Sequence, residues 1–541
     1  MKNKLLLLIP GVFFVLSQHT VAQTHNLIQD AKQNPPTSKS IFKKDLPVSA
    51  GEYKTLQFFA FFITQGVATN MYPESSLFNG QLVGRLFGSN SSSTSSTKTS
   101  WYAEQRLIPF FILTPKLFNG KALLRTSFEI DWTWGDQAYG VGGNKGSAIS
   151  ADQVNIQTQN IEIELIPAPG WAVNLGLQRL FDTPFNPYRT FFDKMTYTGY
   201  RLAYWGSDAV GISVRRDTDL SKLKLGYYKL YENFQELHDD VTLLEAVYRH
   251  KLPNYWNIGV SAYAILDRGK NTGGVSVFGQ GLTSTLVAYN GGYRFNFGTN
   301  DYTANIGWLG MFFSRNPDFI MDRYQLTGFF NYNLGKVNVN KVGWENGVDI
   351  GGFGINGRAA YRYGQTLEDY VSVDYVYSSG DQNGISDGKY SGVITGNTWG
   401  LPASIFISSG AYLLFPHANV VNRFTPAVAD ISNMGYGLNA FTINAYHDLI
   451  PNKLNVKIGA AQGFSNVNPQ GGGNNLGTEL NAAIKYNLGV FMSVELHAAN
   501  LWLGDFYDSN DDSYSSDING SFTGRPTDPW TVFIVYKWLI F

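Results

Sequence analysis

The sequence lacks cysteine altogether, and this absence removes several kinds of site. A chain without cysteine has no disulfide, no thiolate nucleophile and no cysteine-ligated metal centre. Its formal net charge of −1 is too small for a general nucleic-acid-binding protein, which would carry a basic excess. Charged residues make up only 15% of the chain, and aromatic residues are equally frequent. This composition favours amphipathic strands joined by turns over a helical enzyme.

Long hydrophobic runs are also missing. The apolar run from Leu5 to Leu16 is too short for a membrane-spanning helix, which needs about 20 apolar residues, and no longer run follows it. A helical membrane protein is therefore excluded. Because the run follows Lys2 and Lys4 and precedes Thr20-Val21-Ala22, it is typical of a secretory signal peptide at 1–22. We interpret the polar residues 23–51 as a periplasmic extension.

From residue 52 onward the dominant pattern is alternation with a period of two residues, which predicts strands with two different faces. In Lys121–Trp134, one parity is apolar and includes Phe128 and Ile130. The other parity carries Arg125 and two acidic residues, Glu129 and Asp131. We also interpret Tyr293–Phe297 as part of a strand of this kind.

Alternation alone would also fit a soluble β-sandwich, but three features favour a membrane barrel. The connections alternate between short and long, and the last segment ends in Phe541. Lys537 interrupts the parity of that segment, which suggests a bulge or a strand end at the membrane interface. The apolar parity carries aromatic residues at strand ends, as membrane interfaces require, namely Trp132, Trp134, Trp256, Tyr302 and Trp308.

The sequence thus predicts an all-β protein, a transmembrane antiparallel β-barrel spanning residues 52–541 in the outer membrane of a Gram-negative bacterium. Its length gives about 16–18 strands, at roughly 25–30 residues for each strand with its loop. We expect a monomer in contact with outer-membrane lipid, with no cofactor and no nucleic-acid partner.

One long segment, Leu414–Met434, does not fit the alternation. It contains Pro416 and Pro426, which central strands exclude, so it is predicted to be a loop. Its valine and phenylalanine side chains would pack rather than stay in water. We therefore expect a constriction inside the barrel, with a loop on the rim as the alternative. The residues assigned to this constriction are Asn419, Arg423 and Asp430.

Several segments together resemble the alginate-export family of outer-membrane barrels, over roughly residues 150–541. They are Leu175–Arg179, Phe192-Asp193, Tyr200–Leu202, Trp344–Asn346, Gly351–Gly354, Arg358–Ala360, Tyr375–Asp381, Leu414–Pro416, Gly477–Asn481 and Leu501–Phe506. The resemblance implies a porin-like channel. It does not imply that alginate is the solute.

The polar parity of the predicted strands supplies the candidate lumen. Basic side chains only slightly outnumber acidic ones there, which predicts a polar pore of mixed charge. The function expected is a passive channel for hydrophilic solutes, including an acidic polysaccharide or other anions. The alternative is a structural barrel around a periplasmic partner, such as a secretion or electron-transfer protein. The pore-lining candidates are Arg125, Glu129, Asp131, Arg201, Arg215, Lys224, Arg249, Arg294, Arg358, Arg362, Lys457 and Lys485.

Two groups of residues are candidates for other chemistry. Ser493, Glu495 and His497 share one parity, but strand positions i and i+2 lie roughly 7 Å apart, which argues against direct hydrogen bonds and against an enzyme. In the second group, Asp508, Asn510 and Asp512 match the first three ligand positions of a calcium-binding loop in residue type and spacing. The glycine and glutamate that such a loop requires are absent, so this is only a weak calcium candidate.

Overall fold

The computed structural model describes the chain over most of residues 56–540. The described residues are 56–73, 82–83, 86, 92–134, 155–179, 208–232, 234–236, 238–270, 282–283, 293–316, 319, 321–340, 343, 346–394, 410–415, 424–425, 428–429, 431–489, 491–509 and 525–540. The predicted signal peptide and periplasmic extension lie outside them.

Eighteen long strands within the described residues form one antiparallel sheet. This number lies within the range predicted from the sequence. The strands are β1 (Leu56–Thr69), β2 (Ser100–Leu113), β3 (Ala122–Thr133), β4 (Asn155–Leu165), β5 (Trp171–Arg179), β6 (Asp208–Asp217), β7 (Ser221–Tyr231), β8 (Val241–Leu252), β9 (Trp256–Asp267), β10 (Tyr302–Arg315), β11 (Tyr324–Val339), β12 (Val348–Arg362), β13 (Tyr370–Ser378), β14 (Leu438–Ile450), β15 (Leu454–Phe464), β16 (Asn475–Gly489), β17 (Met492–Leu503) and β18 (Trp530–Ile540).

The sheet closes on itself. Each strand pairs with its neighbours in sequence, and β1 pairs with both β2 and β18. At the seam, Ala60 lies opposite Ile540 and Thr69 lies opposite Thr531. Closure leaves none of these eighteen strands with an unpaired edge. A β-structure that crosses lipid needs this pairing, because no water is present there to satisfy free backbone groups.

Short turns join the strands at one end of the barrel. The turn between β8 and β9 places Asn254 and Tyr255 at φ of 57° and 64°, the left-handed conformation that tight hairpins use. Gly170 ends the turn between β4 and β5 with φ of 78°, and a Cβ there would lie 2.6 Å from the carbonyl oxygen of Asp217. The long connections lie at the opposite end, so the short turns mark the periplasmic side and the long connections the outside.

The outward face of the barrel is apolar. On β9, Ile258 and Val260 are 40% and 49% exposed, whereas Ser261 and Asp267 on the opposite parity are buried. The same alternation recurs around the ring and leaves large apolar side chains exposed, among them Leu309, Met311, Ile443, Ile458, Ile484, Leu496 and Ile534. Apolar side chains in this number require lipid rather than water around them. The chain is a β-barrel of the Gram-negative outer membrane.

Smaller elements lie in the connections. Met71–Pro73 pairs with Ser92–Thr94, Leu82–Val83 pairs in parallel with Phe424–Thr425, and Lys389–Tyr390 pairs in parallel with the start of β12. Short 3-10 helices cover Lys116–Phe118, Asn433–Gly435 and Asp505–Asp508. No helix in the described part of the chain is long and apolar enough to cross a bilayer.

Three expectations about individual segments are wrong. Residues 293–297 form no strand; they belong to the connection between β9 and β10, and Phe295 and Phe297 are buried. Tyr302 and Trp308 are not interface residues, since both are buried on the inward parity of β10. Lys537 requires no bulge, because it lies on the inward parity of β18 and both neighbouring strands keep an unbroken register there.

Candidate functional site in the barrel lumen

Ion pairs cover the inward face of β3–β6. Arg125 donates two hydrogen bonds to the carboxylate of Glu164, at 2.8 and 2.9 Å, and its Nη1 lies 3.6 Å from Glu162. Arg215 approaches the same Glu164 at 3.5 Å and donates to Asp217 at 2.9 Å. A buried charge costs much less free energy when it is paired, so these ion pairs stabilise the wall and link its strands to one another.

Other predicted lumen cations also have acidic partners. Lys224 lies 2.8 Å from Glu245, and Arg358 lies 2.7 Å from Asp374. Lys485 bonds at 2.7 Å to Glu368, which belongs to the periplasmic turn between β12 and β13. Because a paired cation attracts a passing anion less than an unpaired one does, these residues contribute mainly to the wall.

Arg362 differs from them. It is the last residue of β12, at the periplasmic end of the lumen, and it is 4% exposed. It forms no ion pair with any residue that the structure describes, and its Nε is buried without a hydrogen-bond partner. The charges of Arg323, Asp322 and Asp369, all in nearby turns, influence Arg362 through space. Neither aspartate pairs with it, because Asp322 bonds Arg315 and Asp369 accepts backbone N–H groups. Among the described lumen cations, Arg362 is therefore the best placed to meet an anionic solute.

The outer part of the lumen holds a segment of the connection between β13 and β14. Residues 411 and 413–415 of this segment are fully buried. The carboxylate of Glu479, on the inward parity of β16, accepts hydrogen bonds from three successive backbone N–H groups, those of Tyr412, Leu413 and Leu414, at 2.7, 3.0 and 2.7 Å. One buried side chain thus fixes the segment, which we call the 410–415 segment, against the barrel wall.

Lys457 completes the contact of this segment with the wall. Its ammonium group donates to the carbonyl oxygen of Gly410 and to Asn481, and it lies 4.1 Å from the ring centroid of Tyr412. Asn481 in turn donates to Glu479 at 2.7 Å. Burial raises the pKa of Tyr412 well above its ordinary value, so its hydroxyl stays neutral. Lys457 therefore binds the inward segment rather than facing an open pore.

A cluster of aromatic side chains fills another part of the outer lumen. Tyr293 stacks on Tyr390 at 4.7 Å between ring centroids, and Phe295 meets Tyr390 at 5.1 Å. Trp308 of β10 donates from its indole nitrogen to the carbonyl oxygen of Ile394 at 2.8 Å. The connections that follow β9 and β13 therefore pack together inside the ring and narrow it.

Ser493, Glu495 and His497 do form hydrogen bonds, contrary to the distance argument made from the sequence. Glu495 is long enough to bridge the spacing: its carboxylate accepts from Ser493 at 3.2 Å and lies 3.0 Å from Nε2 of His497. Lys537 also bonds both of its oxygens, at 3.0 and 2.9 Å. Since Ser493 and His497 each bond to Glu495, the three side chains do not form a nucleophile–base pair.

The remaining candidates divide into two sets. Arg249 lies 5.7 Å from the Phe312 ring, and Arg294 donates to the carbonyl oxygen of Thr283 at 2.6 Å. Asp508, the first residue of the weak calcium candidate, accepts a hydrogen bond from Arg525. The guanidinium group therefore contacts the carboxylate that a calcium ion would need. The following lie outside the described residues: Arg201, Asn419, Arg423, Asp430, Asn510, Asp512 and the side chains of Glu129 and Asp131.

Comparisons with known proteins give distant likenesses only. No protein-family model matches the sequence, and no curated protein matches it. Among solved structures, the outer membrane protein OpdK from Pseudomonas aeruginosa aligns over 90% of this chain and 99% of its own, at 10% identity and a TM-score of 0.46. OccAB4 of Acinetobacter baumannii aligns over 90% and 98%, at 10% identity and 0.44. Pseudomonas aeruginosa OccK2 (OpdF), solved with glucuronate, aligns over 90% and 97%, again at 10% identity and 0.44. At these values the likenesses add nothing to what the strand pairing establishes.

Proposed function

We propose that the protein is a passive channel for small hydrophilic solutes across the outer membrane, with a preference for anions. The observation that carries this proposal is the closed ring of 18 strands with charged, hydrogen-bonded side chains on its inward face. A ring of this size is wide enough for an aqueous path unless its interior is filled.

The inward connections support a narrow path rather than a wide one. The 410–415 segment and the aromatic cluster around Tyr390 both occupy the outer part of the ring. We propose that they form a constriction, which would restrict passage to small solutes. A long acidic polysaccharide such as alginate would need a wider opening.

The preference for anions is assigned to Arg362. An unpaired positive charge in a confined lumen raises the local concentration of anions. Arg358 is its matched control, because it lies four residues earlier on the same inward parity of β12 but is paired with Asp374 at 2.7 Å. The two arginines therefore differ in pairing while sharing a strand and a face.

Conductance and reversal potential in planar bilayers with a KCl gradient test this proposal. The wild type should form open channels whose reversal potential indicates anion preference. R362S should shift the potential toward cation preference. The control R358S/D374N removes the neutral Arg358–Asp374 pair and leaves the net lumen charge unchanged, so its potential should stay close to that of the wild type. Equal potentials for R362S and the wild type would contradict the role of Arg362.

Solute uptake into proteoliposomes separates the finer alternatives. Uptake of glucuronate without uptake of alginate oligomers supports a channel for small anions. Uptake of the oligomers would instead support export of an acidic polysaccharide. The absence of any conductance in correctly folded protein would favour the structural alternative, a barrel whose interior is occupied by its own connections or by a periplasmic partner.

A further inference from the structure

Three carboxylates meet in the connection between β7 and β8, at the outer end of the barrel. Glu232, Asp239 and Asp240 each present an oxygen, and these oxygens lie within 4.8 Å of one another. Lys229, near the end of β7, bonds Glu232 at 2.7 Å and Asp240 at 2.6 Å. Three negative charges thus face one ammonium group.

The hydrogen bonding of this cluster is incomplete. Asp239 is 5% exposed; its Oδ2 accepts the backbone N–H of Phe234 at 3.0 Å, and its Oδ1 is buried without a partner among the described residues. Oδ1 of Asp240 is likewise buried and unpartnered within the described part of the chain. A buried carboxylate oxygen without a donor costs free energy, which a bound cation would recover.

The kind of ligand indicates the kind of cation. Ca²⁺ accepts about six to eight oxygen ligands in a flexible geometry and commonly takes several carboxylates from one loop. Mg²⁺ demands a near-ideal octahedron and usually keeps several of its waters, so it rarely binds in a site built from protein carboxylates alone. Zn²⁺ prefers nitrogen and sulfur ligands, and this cluster contributes oxygens alone.

We propose that Glu232, Asp239 and Asp240 form a Ca²⁺ site at the outer rim of the barrel. The ammonium group of Lys229 competes with the ion for Glu232 and Asp240, so the affinity is modest, in the range of about 10⁻⁴–10⁻³ M that extracellular calcium modules show. The bound ion holds the two ends of this connection together. The site is independent of the proposed channel function.

Calorimetric titration of the full-length barrel in detergent with CaCl₂ tests the site, with folding of each variant checked by heat-modifiable migration on gels. The wild type should bind one Ca²⁺ in this range, and D239N should bind it at least tenfold more weakly. The matched control is D349N, which removes a rim carboxylate paired with a single lysine, Lys336, at 3.8 Å. That variant should stay within twofold of the wild type.

A second variant acts in the opposite direction. K229M removes the competing ammonium group and leaves all three carboxylates, so Ca²⁺ should bind at least threefold more tightly than to the wild type. Equal titrations of D239N and the wild type would overturn the proposal. If D239N does not fold, the result with K229M decides: tighter binding supports the site, and unchanged or weaker binding refutes it.

Discussion

Replacing Glu479 with alanine should release the 410–415 segment from the barrel wall. The carboxylate accepts three backbone N–H groups, and the substitution leaves all three without their acceptor. At about 1 kcal/mol for each hydrogen bond, the segment would lose about 3 kcal/mol of local stability. Because about 1.4 kcal/mol is a factor of ten, its backbone N–H groups should exchange with solvent roughly a hundredfold faster.

Hydrogen exchange of the Tyr412–Leu414 amides, measured by mass spectrometry, gives this rate directly. E245A is the matched control, since Glu245 is also a buried inward carboxylate but bonds Lys224 and Tyr228 of the wall and no inward segment. The single-channel conductance of E479A should rise, whereas that of E245A should change little. Exchange in E479A as slow as in E245A would refute the idea that Glu479 holds the segment in place.

Three further predictions follow from the fold. V260R should destabilise the barrel by about 2–4 kcal/mol in a chemical unfolding series, because residue 260 faces lipid near mid-strand. N257R, on the lumen parity of the same strand where the side chain is only half-buried, should cost far less, and similar losses would contradict the assigned parity. Deleting residues 419–430 should raise single-channel conductance several-fold if this connection narrows the pore, and unchanged conductance in a folded variant would argue against a constriction. Burial alone would raise the pKa of Asp369, but backbone N–H donors outweigh it and hold that pKa below the ordinary 3.8. The lowered pKa makes the turn most stable above pH 3.8 and progressively looser below it. A nitroxide on Leu367 should therefore become mobile only in that acid range, and D369N should abolish this pH dependence.

The general architecture could be predicted from the sequence because strand alternation is a local property. In β9 each residue's parity alone indicates which side it faces, as Val260 and Ser261 illustrate. The same rule failed where a segment alternates without lying in the sheet. Residues 293–297 place aromatic side chains on one parity, yet those side chains pack on Tyr390 instead of facing lipid.

The direction in which an aromatic side chain faces was also ambiguous in the sequence. Tyr302 and Trp308 suit a membrane interface by composition, but an inward position is equally favourable when a buried partner satisfies the polar atom. For Trp308 that partner is the carbonyl oxygen of Ile394, 86 residues away. The sequence carries no local signal for such a contact.

The lumen was predicted less well than the wall. Parity identified Lys457 as inward-facing, but the segment that it binds lies 47 residues away. Ion pairing also distinguishes arginines that parity alone treats as the same. Arg215, Arg358 and Arg362 look equivalent in sequence, and only their neighbours in space distinguish the last of them as unpaired within the described residues.

The seam between β1 and β18 has a consequence for how the chain acquires its structure. Its pairing joins Ala60 to Ile540, so the ring cannot close until almost the whole chain has been synthesised and exported. Contacts at such sequence separation form slowly, because the entropy of closing the loop must be overcome first. Until then β1, with phenylalanines at 58, 59, 61 and 62, has an open edge that could pair with other chains. We therefore expect the unfolded chain to depend on a periplasmic chaperone that shields this strand until β18 reaches it.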